Sequence, residues 1–377
     1  MRSTMHYIMK FVALTFCILL SNISGTAQTE RPVNQLSSTD AIFTDDLIDL
    51  IFEQVKDLPD NAELALALIV DGQEYYFGVT RSNDTVHTIE NSDRIFEIGS
   101  ITKVFTSTIL AQLVEEDVLN LDDNVGDFLP FDLNDSIKIT FSQLATHTSG
   151  LPRMPSNLDL SRVDFSNPYK HYGETELIDY LSQEMILQDE PGTVHNYSNL
   201  GVGTLGFVLT KIVDLTYEQL IQERLFKPYK MLHSTTSRQT IRQPLVPGIN
   251  DQGETVSNWD MNVLVGSGGV LSTARDLSKF ALAQFQQEDE AMALTRKPMF
   301  EITPNRHQGL GWLIFTNDDQ SKWYWHNGGT GGYTSSLLVD IANKNAIIIL
   351  SNISGFSKVH GKIDELTFEL MSMIAKN

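Results

Sequence analysis

The sequence predicts an α+β fold: an antiparallel sheet built from both ends of the chain and flanked by helices, with a mostly helical lobe between the ends. Three observations carry this. Strand-like runs gather at 64–79 and again at 311–350. Helical periodicity recurs within 140–255, where few strands are apparent. Between the first strands and this middle stretch lies an apolar helix that opens on Ser100-Ile101-Thr102-Lys103.

Residues 1–27 have the layout of a secretory signal peptide. Arg2 and Lys10 make a basic start, 11–20 is an apolar core too short to span a bilayer comfortably, and Gly25-Thr26-Ala27 is a small-residue cleavage site. An uncleaved N-terminal anchor is the alternative. Cleavage would send the protein to the periplasm or outside the cell with no stable membrane span. It would also remove Cys17, the one cysteine, and no internal disulfide is possible either way.

A polar linker is expected at 28–41. The remaining 42–377 divides into an α/β lobe, 42–139 with 256–377, and a helical lobe, 140–255. Leu47, Ile48, Ile51 and Val55 mark an amphipathic helix. Residues 64–70 read as a strand, Asp71-Gly72 as a two-residue hairpin turn, and 74–79 as the partner strand. Ile101, Val104, Phe105, Ile109, Leu110 and Leu113 give the next helix a broad buried face, and 119–130 is acidic and turn-rich. Thr140-x-x-Gln143 is a capping box, and helical patterns follow at 174–184, 200–213 and 217–225. Thr273 caps a further helix, with Asp276 in its first turn. Strands are expected at 311–315, 322–325, 335–341 and 346–350, with Asn343-Lys344-Asn345 turning between the last two. A helix at 363–374 ends the chain.

Charge narrows the partners. Asp and Glu outnumber Lys and Arg by 48 to 27, a net charge of −21, which argues against nucleic acid and against anionic lipid surfaces.

Three stretches can carry chemistry. The first is the only Ser-x-x-Lys in the chain. Ser100 and Lys103 sit one helical turn apart on one face. A serine hydroxyl needs a base, and a lysine among apolar neighbours loses hydration and favours its neutral, basic amine. Taken alone, the pair also fits a helix-capping serine followed by a surface lysine. The second is the polar loop 191–199, where Tyr197 and Asn199 can point into a cleft. A phenol beside a cationic lysine would have a lowered pKa and could relay protons, and an amide could hold a substrate carbonyl or lock a lysine. Turn residues around a core tyrosine are the plainer account. The third is His326-Asn327-Gly328-Gly329 at a strand end, where glycine lets another backbone approach closely. A glycine-rich hairpin is the plainer account there.

Together, Ser100-x-x-Lys103, Tyr197-Ser198-Asn199 and His326-x-Gly328 resemble, in order and spacing, the class C β-lactamase and penicillin-binding serine hydrolases. Phe96-Glu97-Ile98-Gly99, His147-Thr148-Ser149-Gly150-Leu151, Pro191-Gly192-Thr193 and the stretch from Tyr217 to Pro228 look similar too. The resemblance implies a β-lactamase/transpeptidase-like fold and acyl transfer through a covalent intermediate. Ser100 would be the nucleophile, Lys103 and Tyr197 would share the proton work, and Asn199 would position substrate. The N–H groups of Ser100 and Gly329 would form the oxyanion hole, with Gly328 and His326 lining the substrate side. The substrate would be a small molecule or a peptidoglycan-type peptide, cleaved at an amide of the β-lactam or D-alanyl type. A carboxylesterase on the same site and a penicillin-binding sensor that acylates without turnover are the alternatives.

Many members carry lysine in the place of His326. Histidine, with a reference pKa of about 6.5, is mostly neutral at pH 7. The sequence therefore predicts a pH-dependent carboxylate contact there, or a proton relay through Tyr197.

Gly201-Val202-Gly203-Thr204-Leu205-Gly206 matches a dinucleotide fingerprint but follows a loop rather than a strand, so no cofactor is expected. The nine histidines are scattered, so no metal is expected either; His147 and His195 read as structural.

Overall fold

The computed structural model describes residues 32–375 apart from 159–163, 165 and 287. The expected signal peptide and the first residues of the expected linker lie outside the described residues.

The strands in chain order are β1 (Val33–Gln35), β2 (Ala62–Val70), β3 (Gln73–Ser82), β4 (Thr85–Ile89), β5 (Phe96–Glu97), β6 (Leu271–Ser272), β7 (Phe300–Thr303), β8 (Arg306–Gln308), β9 (Leu313–Thr316), β10 (Lys322–Gly329), β11 (Thr334–Asp340) and β12 (Asn345–Ser351). The helices are α1 (Asp45–Val55), α2 (Thr102–Glu115), α3 (Phe141–Ala145), α4 (Glu174–Asp179), α5 (Asn199–Val213), α6 (Tyr217–Ile221), α7 (Ala274–Ala283), α8 (Glu290–Thr295) and α9 (Gly361–Ile374). Ten strands form one sheet in the order β1-β4-β3-β2-β12-β11-β10-β9-β8-β7, while β5 and β6 pair separately. The seam between the two ends of the chain is β2 against β12, antiparallel, with Leu66 opposite Ile349.

Side-chain alternation decides what each face meets. Leu64, Leu66 and Leu68 of β2 join the core under α1 and α9, whereas Ala65, Ala67 and Ile69 join the larger core on the other side. The small alanines let α7 pack close to that second face. Behind it lies α2, whose residues Thr102 to Ala111 are all buried, so burial runs around the helix rather than along one stripe. Asp71 (φ 52°) and Gly72 (φ 79°) both take the left-handed conformation that a two-residue type I′ hairpin needs.

The structure departs from expectation at the edges. Val33–Gln35, expected in the linker, pairs in parallel with β4. The sequence predicts no strand at β4, nor at β7 and β8, which end the sheet on its other side. The helical patterns at 174–184 and 217–225 each end in a wider π turn, at Tyr180–Glu184 and Gln222–Phe226. Residues 227–255, expected inside a helical lobe, hold neither regular helix nor strand beyond isolated bridges. Among the described residues no single helix is long and apolar enough to cross a membrane.

Candidate active site

Ser100 sits in a single 3-10 turn, Gly99–Ile101, that feeds directly into α2. Gly99 has φ 50°, and a β-carbon there would lie 2.7 Å from the Gly329 nitrogen. A β-carbon on Gly328 would press on the Ile98 carbonyl oxygen and lie 2.9 Å from the Ser100 nitrogen. Glycine at both positions therefore lets the end of β10 close onto the nucleophile turn, bringing the backbone nitrogens of Ser100 and Gly329 into one small region. The Ser335 hydroxyl of β11 donates to the Ile98 carbonyl at 2.8 Å and ties the turn to the sheet.

Lys103 is fully buried one turn along α2. Its Nζ lies 2.9 Å from Ser100 Oγ, 2.9 Å from Asn199 Oδ1 and 2.6 Å from the Ser267 carbonyl oxygen. Burial pushes the Lys103 amine well below the usual lysine range, and the Arg153 charge adds to this. A neutral amine has two N–H groups for the Asn199 and Ser267 oxygens, which only accept, and a lone pair left for the Ser100 hydroxyl proton.

The Tyr197 hydroxyl donates to Ser100 Oγ at 2.7 Å. Burial pushes its phenol up to about 12, against the lowered value expected from a cationic lysine neighbour. The correction follows from Lys103: an amine driven towards neutrality has little charge with which to stabilise a phenolate. The hydroxyls and the amine thus form a chain in which a proton can pass from Ser100 to Lys103 while Tyr197 remains a donor.

The loop holding Tyr197 is fixed by residues the sequence did not mark as functional. His147 takes a left-handed backbone (φ 58°), unusual without glycine. Its carbonyl accepts the Asn196 N–H at 2.8 Å, and its Nδ1 accepts the Ser198 N–H at 3.2 Å. Its ring lies 4.5 Å from the Tyr197 ring, so His147 holds the tyrosine from the residues on both sides and from one face. Ser198 caps α5 by accepting the Gly201 N–H at 2.8 Å, which sets Asn199 at the helix start. His195 meets Gln308 Oε1 at 3.1 Å.

His326 does not line the main cleft, which is bounded by Ser100, Tyr197, Asn199, Asn327, Gly328 and Gly329 among others. It faces a smaller pocket of about 130 Å³ behind Tyr197, shared with His147 and His195. Its Nδ1–H donates to the Asn327 carbonyl at 2.6 Å. Burial, with the charge of Lys103 second, lowers the ring to about 3, so it stays neutral through the physiological range. The ring is thus neither charged nor turned to the main cleft, a departure from the pH-dependent carboxylate contact expected at His326. Its neighbour Asn327 turns to the opposite sheet face and donates to Asp364 of α9 at 2.7 Å. Among the described residues no cluster of three or more His, Cys, Asp or Glu side chains could hold a metal ion.

Comparison with known proteins gives the family and the fold. A family model described as Beta-lactamase matches residues 51–370. The chain is 29% identical to Beta-lactamase-like protein 4 of Dictyostelium discoideum, over 69% of this chain and 46% of that protein, so it spans about half that relative's length. It is 25% identical to the D-alanyl-D-alanine-carboxypeptidase/endopeptidase AmpH of Escherichia coli, covering 88% of this chain and 91% of AmpH. A class C β-lactamase from Rhodobacter sphaeroides superposes with a TM-score of 0.69 at 20% identity, covering 87% of this chain and 97% of that one, a likeness of fold.

Proposed function

The chain belongs to the β-lactamase family, and on that premise we propose that it is an exported serine hydrolase. It works through an acyl-enzyme on Ser100 and cleaves an amide of the β-lactam or D-alanyl-peptide type. One observation carries the reading: Ser100 Oγ lies 2.7 Å from the Tyr197 hydroxyl and 2.9 Å from the Lys103 amine.

In acylation the Ser100 proton passes to the Lys103 lone pair while Oγ bonds to the substrate carbonyl carbon. The N–H groups of Ser100 and Gly329 hold the oxyanion that forms. When the carbon–nitrogen bond breaks, the leaving amine takes a proton from Tyr197, which regains one from Lys103. Water then attacks the ester, and its proton returns by the same chain to Ser100 Oγ. Asn199 holds Lys103 in line from the cleft wall. Export rests on the basic start, short apolar core and small-residue cleavage site of 1–27.

A second reading, carboxylesterase, is favoured by the strand edge. The neutral His326 and the diverted Asn327 leave no fixed positive charge there for the carboxylate of a β-lactam or D-alanyl peptide. A substrate panel on the purified protein separates the two, with Ser100→Ala as control. Turnover of nitrocefin or a D-Ala-D-Ala peptide, lost in Ser100→Ala, supports the amide reading. Turnover of short p-nitrophenyl esters alone supports the esterase. Activity that survives in Ser100→Ala sinks both.

A further inference from the structure

The strand edge offers no cation to the cleft, yet the cleft has one elsewhere. Arg153, on the segment that follows His147, lines it beside Tyr197 and Asn199. Among the described residues no aspartate or glutamate lines it, in a chain whose net charge is −21.

Its position is fixed twice. The Arg153 carbonyl accepts the N–H groups of Asn199 (3.1 Å) and Leu200 (3.2 Å), the first donors of α5. The Ser198 hydroxyl bonds the neighbouring Pro152 carbonyl at 2.6 Å. The side chain then lies along the catalytic tyrosine: its guanidinium carbon is 5.1 Å from the centre of the Tyr197 ring, the same ring that Lys103 Nζ approaches at 4.8 Å. Among the described residues no carboxylate pairs with this guanidinium, although nine other arginines and lysines there do find carboxylate partners. A planar fork of donors over the Tyr197 ring, with no carboxylate partner among the described residues, is suited to a carboxylate of the substrate.

We propose that Arg153 is the specificity-determining residue of this cleft, selecting esters or amides that carry an anionic group near the scissile bond. The proposal rests on Ser100 as the nucleophile. It moves the charge recognition expected at the sheet edge to the opposite wall, where the helices stand. Placed at the open lip, the pair with substrate remains partly in water, so its effect is moderate.

The test is kcat/KM for three esters: neutral p-nitrophenyl butyrate, mono-p-nitrophenyl glutarate with its charge on the acyl half, and 4-carboxyphenyl butyrate with its charge on the leaving half. The enzymes are the wild type, Arg153→Ala, Arg153→Glu and Arg153→Lys. The anionic-to-neutral ratio should fall roughly fivefold in Arg153→Ala, further in Arg153→Glu, and recover in part in Arg153→Lys. Whichever anionic ester carries the fall tells on which half of the substrate the charge sits. Equal losses on all three esters, with the ratio unchanged, would overturn the proposal and leave Arg153 a loop anchor. The same preparations are labelled with a fluorophosphonate. A wild type unlabelled at Ser100 would overturn the nucleophile itself, a failure distinct from an unchanged ratio.

Discussion

On one side of Ser100 the 196–199 loop delivers side chains; on the other the end of β10 delivers backbone. Tyr197 and Asn199 reach the nucleophile and its base directly, and His147, Pro152 and Arg153 hold their loop with three hydrogen bonds from its backbone, one from the next residue, Leu200, and one from the Ser198 hydroxyl. Gly328 and Gly329 bring no side chain at all, and the side chains beside them face away or are neutral. The difference teaches where each kind of change should register. Proton transfer and charge recognition depend on the loop and its clamp, whereas oxyanion placement depends on strand geometry.

The largest effects should come from the proton chain. Lys103→Ala and Tyr197→Phe should each lower kcat by roughly a hundredfold or more. The double variant should lose less than the product of the two, because both act on one proton path. Single and double variants measured on one substrate check this, and independent, fully multiplicative losses would break the shared role.

The clamp should matter next. His147→Ala strands the Ser198 N–H and frees the Tyr197 ring. Kinetics and denaturant melts should show kcat falling roughly tenfold and stability by about 1–3 kcal/mol. His147→Asn, which tolerates the left-handed backbone and restores an acceptor, should recover part of both. Unchanged kcat in His147→Ala would mean that Tyr197 is held by its own burial.

The third effect concerns pH and sharpens the contrast at His326. Burial lowers His147, His195 and His326 in the folded state. The unfolded chain therefore binds more protons below about pH 6.5, and stability falls with acid from there. For His326 the loss continues to its folded value of about 3, at roughly 1.4 kcal/mol per pH unit. His326→Asn should flatten the fall of stability between pH 6 and 4 by about that slope, as read from denaturant midpoints. An unchanged slope would mean the ring charges in the folded protein.

The smallest effect belongs to the lip. Phe356 is 75% exposed, with its ring 5.9 Å from Trp259 at the cleft wall. Phe356→Ala should raise KM roughly threefold for substrates with a ring-sized apolar group and leave kcat near its original value.

These contrasts were unevenly legible in the sequence. The strands β2 and β12, the Asp71-Gly72 hairpin and the buried α2 follow from apolar patterning and turn chemistry that each segment carries by itself. The meeting of Ser100, Lys103, Tyr197 and Asn199 was legible because each stands in a short motif. The strands β1, β7 and β8 were not, since at three or four residues each they are too short to carry a clear period. Ser267 contributes a carbonyl, which leaves no mark in residue type. His147 acts through a left-handed backbone and a partner 51 residues away. The neutrality of His326 depends on burial by elements distant in the chain, so a reference pKa could not reveal it.

The central claim is that Ser100, with its proton handled by Lys103 and Tyr197, becomes covalently acylated. The most direct measurement is intact-protein and peptide mass spectrometry after reaction with a fluorophosphonate and, separately, a penicillin, on wild type and Ser100→Ala. The account predicts that the fluorophosphonate adds once to the wild type, on the peptide holding Ser100, that any penicillin adduct maps to the same serine, and that Ser100→Ala carries neither. An adduct on another residue, or one that persists in Ser100→Ala, would contradict it.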